Sequence, residues 1–543
     1  MRITSLAFSL LLLAAPAVIS AQDSSNETLP SFEDYLLPSV LHNNPDVSIY
    51  YSALVSTGLL DTLKQYIDPT YPGVSYDSTL RCFFETGRAI TYQTAYETEH
   101  GIFPEQRQFR YTLFVIPDSI LRADYNITSL NDLKRYAENE YPQGAGKPDQ
   151  SRESSLNMFM SYHILPMGLS WDQLNTAQLD ILVNRHHLDE LDVEDFYETM
   201  LPHSIMRIST PYKKESYSSA SQITQDERYG IFINRKGTVK DPANLIEGIQ
   251  ILNTYDYGAF ENSAINGYYH YITEPLAYNE ATRSALNVRM RIMASTLSPD
   301  FINSGARGRL RVTDKDRYVV GYLPGYCKNF KWSMGSEIWV RYRDRTFGSY
   351  NGDEMTLRGI FDVSIKLPPV PNKGLYEIRI PPAYIPSMQS FREANGSVLY
   401  YISNDGENFI PCSTPLDLTI EMTDPRIGYV RDDDVDYSEI LIENPGLTED
   451  EARQMAIQEN DKLLRKKGFM KAPDSYGPYN SGMRYDPGFC RRIVCEMYME
   501  PDKDYYLRIR QVGNNDYSTV AFNYLEIVPY DVYSGENGPE DWH

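Results

Sequence analysis

Cysteine, tryptophan and histidine are scarce in this chain of 543 residues, which carries 5, 4 and 8 of them. The thiols at Cys82, Cys327, Cys412, Cys490 and Cys495 are scattered and odd in number, which excludes a disulfide framework and zinc-finger spacing. Only Cys490 and Cys495 lie close enough in sequence for a local bridge, so stability must come mainly from packed cores. Basic residues are outnumbered, 51 Lys and Arg against 74 Asp and Glu, and the formal charge is -23. A nucleic-acid partner is thereby excluded, since binding one needs a basic surface to displace counterions, and anionic membranes are disfavoured. No apolar run beyond the first residues is long enough to span a bilayer. Also absent are the His-Glu-x-x-His zinc motif, the Gly-x-Ser-x-Gly nucleophile elbow, the Walker loop and the dinucleotide glycine pattern.

Arg2 precedes an apolar stretch over 6–15, and small residues follow at Ala17, Ser20 and Ala21. Residues 1–21 therefore read as a secretory signal peptide, with no cysteine near the cleavage point to accept a lipid anchor. The mature chain is expected to be exported, to the periplasm, the cell surface or the extracellular space, with no transmembrane segment. Residues 22–34, rich in Ser, Asn and Asp, predict a flexible leader. The remaining length exceeds one core and predicts more than one domain. Tyrosine is abundant, 44 residues against 20 phenylalanines, which suits half-buried sheet faces or flat platforms for sugars.

The first half is organised around Phe109-Arg-Tyr-Thr-Leu-Phe-Val-Ile-Pro117, a buried strand that hands over to a helix at Asp118. Upstream, Asn44-Pro45-Asp46 opens a helix that Gly58 stops and Leu59 restarts. Downstream, Leu156 to Pro166 reads as a helix running into a short strand, with Tyr162-His163 at the joint. Asn266-Gly-Tyr-Tyr-His-Tyr-Ile-Thr-Glu-Pro-Leu276 opens with a turn and proceeds as an aromatic strand. These segments, in this order, resemble the fasciclin-type (FAS1) domain. Thr112, Phe114 and Asp118 fall on its first motif, Tyr162 and His163 on its Tyr-His pair, and Asn266, Gly267, His270, Ile272 and Leu276 on its closing strand. Ile116 stands where the family has proline, and Thr273 replaces the usual acid. The resemblance implies an enlarged FAS1-like domain over 35–279, with an insertion near 68–108, and associates Tyr162 and His163 with adhesive contacts, although a histidine beside a buried strand more commonly gives its ring N–H to a backbone carbonyl, the reading favoured for His163 and His270.

The second half, 280–543, changes to strand-length alternations with turns between them, among them 337–342, 374–380, 397–402, 416–420, 491–497, 505–510 and 523–528. Apolar-in, polar-out alternation predicts an antiparallel β-sandwich, interrupted by a helix near 448–467. The segments 459–475 and 524–529 are similar to the C-terminal jelly-roll halves of bacterial envelope fasciclin proteins. The expected class is thus α+β: an enlarged FAS1 domain followed by a jelly-roll-like sandwich.

Candidate sites are few. Trp332, flanked by lysine and serine, reads as exposed, and with Trp339, Tyr342 and Tyr350 it forms the sugar-platform candidate, although Trp339 in an alternating strand fits a core equally. His186-His187 with Asp189 and Glu190 reads as a solvated helix face, because adjacent helical imidazoles point about 100° apart. Asp432, Asp434, Asp436 and Glu443 stand at the first, third, fifth and twelfth positions of a calcium loop, but Tyr437 occupies the place of its glycine. Beyond that weak calcium candidate no cofactor is expected. The expected function is non-catalytic adhesion or recognition of a glycan or a cell-surface protein. The competing readings are a carboxylate-dependent glycan hydrolase and a structural subunit of a surface assembly.

Overall fold

The computed structural model describes residues 31–73, 81–83, 89–91, 104–174, 190–213, 230–236, 245–252, 262–306, 318–332, 335–342, 353–381, 396–412, 414–472, 475–476, 480–481, 484, 487–513 and 519–535. The signal peptide read at 1–21, most of the leader, His186, His187, Asp189 and Tyr350 lie outside them. The end of the leader is structured: Phe32–Tyr35 forms a short 3-10 helix closed by a capping box of Ser31 and Asp34. The described chain is mixed α+β, built largely of antiparallel sheets. Among the described residues no helix is long and apolar enough to cross a membrane.

Local chemistry explains the first elements. Helix Ser48–Thr57 ends because Gly58 takes the left-handed conformation at φ 71°, where a side chain would be strained, and Leu59–Leu63 restarts the helix in a new direction. Ser129 caps Leu130–Glu140 by accepting the Asp132 N–H, and Leu133 and Ala137 bury one face. In the inserted region Arg81–Phe83 pairs antiparallel with Ala89–Thr91.

Strand Tyr111–Val115 is buried on both faces, as its unbroken apolar run requires. It runs parallel to Gly267–Tyr271, Tyr111 opposite Gly267 and Val115 opposite Tyr271, and antiparallel to Ile164–Leu165. The three separated segments therefore meet in one sheet. Their junction explains the Asn-Gly pair. Buried Asn266 accepts the Leu37 N–H at 3.0 Å and donates to the Leu63 carbonyl at 2.6 Å, tying two helical segments to the strand end. Gly267 sits at φ 149°, and a Cβ there would run into the Tyr111 carbonyl oxygen. Gly267→Ala is accordingly expected to cost about 2–4 kcal/mol. Chemical denaturation checks this, and a variant as stable as the parent would show that the backbone can move aside.

The second half wraps three antiparallel sheets around one apolar core. The five-stranded sheet has the order Met290–Met293, Tyr524–Pro529, Gly374–Ile380, Arg491–Met499, Phe469–Met470. A second sheet has the order Phe330–Trp332, Asp362–Lys366, Tyr506–Val512, Ser397–Ser403, Ile410–Pro411, with Leu416–Asp417 also paired to Ser397–Ser403. The third is Tyr318–Tyr322, Ser336–Tyr342, Asp353–Gly359, Thr519–Phe522. Ile292, Ile378 and Ile527 of the first sheet meet Val363, Tyr400 and Ile509 of the second and Val320, Ile338 and Leu357 of the third. The strand expected over 416–420 stops at Asp417, whose carboxylate accepts the Thr419 N–H and hydroxyl and turns the chain. Helix Glu449–Lys466 interrupts the sheets where expected, started by a Thr448–Glu451 capping box.

A long hairpin that alternation did not single out, Glu190–Glu198 with Ile205–Lys213, forms a wall shared by two cores. Phe196 and Ile205 enter the second-half core, while their neighbours Tyr197 and Met206 enter the first, as strand alternation dictates. Arg107 pins the halves further along: it binds Asp68 through Nε at 2.9 Å and donates to the Tyr326 carbonyl at 2.9 Å. Lys328 reaches the same Asp68 at 3.0 Å.

Candidate functional site

The Tyr162-His163 pair is fully buried. His163 Nδ1 lies 2.8 Å from the Phe159 carbonyl, and its Nε2 accepts the Leu276 N–H at 3.0 Å. A carbonyl only accepts, so the proton is on Nδ1 and the ring is neutral. Burial drives its pKa down to about 4, against the smaller opposing effect of the Phe159 hydrogen bond. Tyr162 donates to the Ile205 carbonyl at 3.2 Å and accepts from Asn234 at 2.9 Å, and burial holds its hydroxyl well above the usual range. His270, also buried, donates from Nε2 to the Leu169 carbonyl at 2.9 Å. These side chains join the three motif segments internally. Both imidazoles serve backbone carbonyls, the role favoured for them, and neither Tyr162 nor His163 presents an atom to a partner.

Trp332 is likewise not the exposed platform expected. It is 8 % exposed, between Phe330 and the inward row of Val363. Alternation sets this: Lys331 points outward, so both neighbours point in. Trp339 is 3 % exposed, on the opposite face of its strand from Ile338 and Val340, and its indole donates to Glu337 at 3.0 Å. Tyr342 pairs with Tyr318 and Asp353 at a strand end.

The calcium-loop carboxylates are directed elsewhere. Asp432 is buried and binds Lys471 at 2.6 Å, and its other oxygen binds the Arg484 guanidinium. Asp461, on helix Glu449–Lys466, contacts the same Lys471 and Arg484. Asp436 accepts the Ser438 N–H at 2.9 Å and its hydroxyl at 2.6 Å at the start of Ser438–Glu443, while Glu443 is exposed at that helix's far end. Two cations already face the first of the four oxygens, and without a glycine at 437 the chain runs on into a helix. Among the described residues no three His, Cys, Asp or Glu side chains are grouped to hold a metal ion.

What faces solvent is the back of the six-stranded sheet. Directly paired residues share a face, so Lys331, Ser364, Arg508, Tyr401 and Pro411 form one outward row across five strands. Arg508 is the hub. It grips Asp362 through Nε and Nη2, both at 2.6 Å, and lies 5.6 Å from the Tyr401 ring and 5.3 Å from the Phe409 ring. Arg510, 53 % exposed, stands 3.8 Å from Asp362. At the rim, Asp405 accepts the Glu407 and Asn408 N–H groups at 2.8 Å and holds the turn after Ser403. Gly406, at φ 74°, lies against the Tyr506 ring. The alternation Tyr506-Leu-Arg-Ile-Arg510 carried the signal for Arg508 and Arg510. Ser397–Ser403 did not, because apolar residues occupy both of its faces.

The face combines flat rings, whose surfaces suit the apolar faces of pyranose sugars, with a fixed guanidinium, a carboxylate and hydroxyls that can bond sugar hydroxyls. Comparison with protein-family models and with curated proteins finds no match.

Proposed function

We propose that this chain is a non-catalytic recognition protein that binds glycans through the outward face of the six-stranded sheet. The observation that carries the reading is the row Lys331, Ser364, Arg508, Tyr401, Pro411, with Arg508 held between Asp362 and two aromatic rings. An arginine fixed by a two-point carboxylate pair presents its donors without a large ordering cost, which favours binding a neutral polar ligand. Both oxygens of Asp362 already accept from Arg508, an arrangement suited to orienting a ligand rather than to passing a proton. In the same reading the first half is an enlarged fasciclin-type domain and the second a jelly-roll-type sandwich, on an exported chain. The meeting of the three motif segments in one sheet supports the first, and the antiparallel sheets around a shared core support the second.

Isothermal titration of the purified chain against a polysaccharide panel tests the proposal. Tyr401→Ala and Arg508→Ala are each expected to weaken binding by about tenfold or more, with melting temperatures near the parent's. Silence across the panel, or variants that bind as the parent does, would overturn it. Release of reducing ends from a bound polysaccharide would favour the hydrolase instead.

A further inference from the structure

Cys490 and Cys495, the pair suggested by sequence proximity, are not the thiols that the fold brings together. Cys412 follows the edge strand Ile410–Pro411 and donates its N–H to the Tyr400 carbonyl at 3.1 Å. That places it opposite Tyr400, which is fully buried, so Cys412 faces the interior between the sheets. Cys495 lies on Arg491–Met499 directly opposite Ile378, another interior residue, and therefore faces the same interior from the other sheet. Both pack against the second-half core and are only half-buried, and each thiol is the largest influence on the other's ionisation, which makes them neighbours across that interior. Cys327 and Cys490, by contrast, are deeply buried.

We propose that Cys412 and Cys495 are an oxidation site, a thiol pair that closes to a disulfide joining the edge of the six-stranded sheet to the middle strands of the five-stranded one. The oxidant is a small-molecule disulfide such as oxidised glutathione. Cys412, which follows the edge strand, is the attacking group: the neighbouring Cys495 thiol holds it below the ordinary range against the effect of burial, with help from the Arg492 charge, whereas Cys495 is pushed up. The Cys412 thiolate attacks one sulfur of the oxidant and expels a glutathione thiolate. Cys495, on losing its proton, then attacks Sγ of Cys412 and expels the second. Two protein thiols and one glutathione disulfide become one protein disulfide and two glutathione thiols, which carry away both protons. The bond closes a loop of about 80 residues, a length at which cross-linking strongly restricts the unfolded chain.

The test incubates the full chain with oxidised or reduced glutathione, unfolds and alkylates it, and maps the tryptic peptides without reduction. Arg491 and Arg492 separate Cys490 from Cys495 on digestion, so the two possible links are distinguishable. The expected product joins the Cys412 and Cys495 peptides with the loss of two hydrogens, leaves Cys327 and Cys490 alkylated, and melts about 5–10 °C above the reduced chain. Cys412→Ser should abolish that shift. Recovery of Cys412 and Cys495 both alkylated from oxidised protein, or a link from Cys495 to Cys490, would overturn the proposal. If the serine variant does not fold, the peptide map of the parent chain decides alone.

Discussion

Glu526→Ala is expected to destabilise the second half by about 3–5 kcal/mol, enough to lower its folded yield sharply. Glu526 is fully buried in the five-stranded sheet. Its carboxylate meets Arg291 at 2.7 Å, Arg491 at 3.1 Å and Arg379 at 3.4 Å, and those arginines are almost wholly buried too. Burial by itself would raise the Glu526 pKa, but the charges of Arg491, Arg291, Arg289 and Arg379 outweigh it and hold the group well below the usual carboxylate range. Glu377 supplies the second buried carboxylate, bound to Arg379 and Arg465. Without Glu526 the guanidinium groups would keep their desolvation cost and lose their shared counter-charge. Glu526→Gln preserves shape and tests charge alone, so it should recover only a minor part of the loss. Urea denaturation of both variants against Glu407→Gln, on an exposed turn, is the measurement. A Glu526→Ala chain as stable as the parent would mean that the arginines re-solvate freely.

Acidification between about pH 6.5 and pH 4 is expected to weaken the first half through His163 and His270. Each imidazole takes up a proton near 6.5 when unfolded but only at about 4 when folded, because burial disfavours the cation. Across that window the unfolded state binds more protons, so stability is complete above 6.5 and falls as the pH drops through 4. At full extent each ring contributes about 3 kcal/mol. Protonating His163 also removes the acceptor of the Leu276 N–H, and protonating His270 places a new N–H at Nδ1, which has no hydrogen-bond partner. Burial raises Glu198 and Asp300, so those groups take up protons in the folded state and oppose the trend. Glu526 stays ionised in the folded chain but takes up a proton near 4.5 when unfolded, so it adds to the loss at the acid end of the window. His270→Gln keeps a donor for the Leu169 carbonyl while removing one titration, and should make the pH dependence about half as steep. Denaturant melts at pH 7.5, 6, 5 and 4.5 provide the profile, and a flat one would refute the neutral-histidine assignment.

Much of the local structure was legible before any coordinates. Gly58, Ser129 and the Thr448–Glu451 pair each act within one or two turns of backbone, so their stop and cap roles follow from their own chemistry. Strand Gly374–Ile380 lies where its alternation put it, and Ser336–Tyr342 and Tyr506–Val512 lie within a residue or two. The meeting of the three first-half segments was anticipated through a family resemblance. Its physical basis, Asn266 clasping two helical carbonyl and amide groups beside a glycine that no side chain could replace, needed coordinates.

The sequence by itself determined the helix stop at Gly58, the caps at Ser129 and Thr448, and which residues of a strand lie on the same side, but not the hairpin Glu190–Glu198 with Ile205–Lys213. Only the tertiary structure decided which side is wet. Trp332 read as exposed from its lysine and serine neighbours, yet packing against the second-half core buried it with Phe330 and left Lys331 and the Arg508 row in solvent. It likewise turned Asp432 toward Lys471 and Arg484, and set Cys412 rather than Cys490 beside Cys495. A period of two fixes relative facing along one strand, whereas which face is covered depends on sheets contributed by residues a hundred or more positions away.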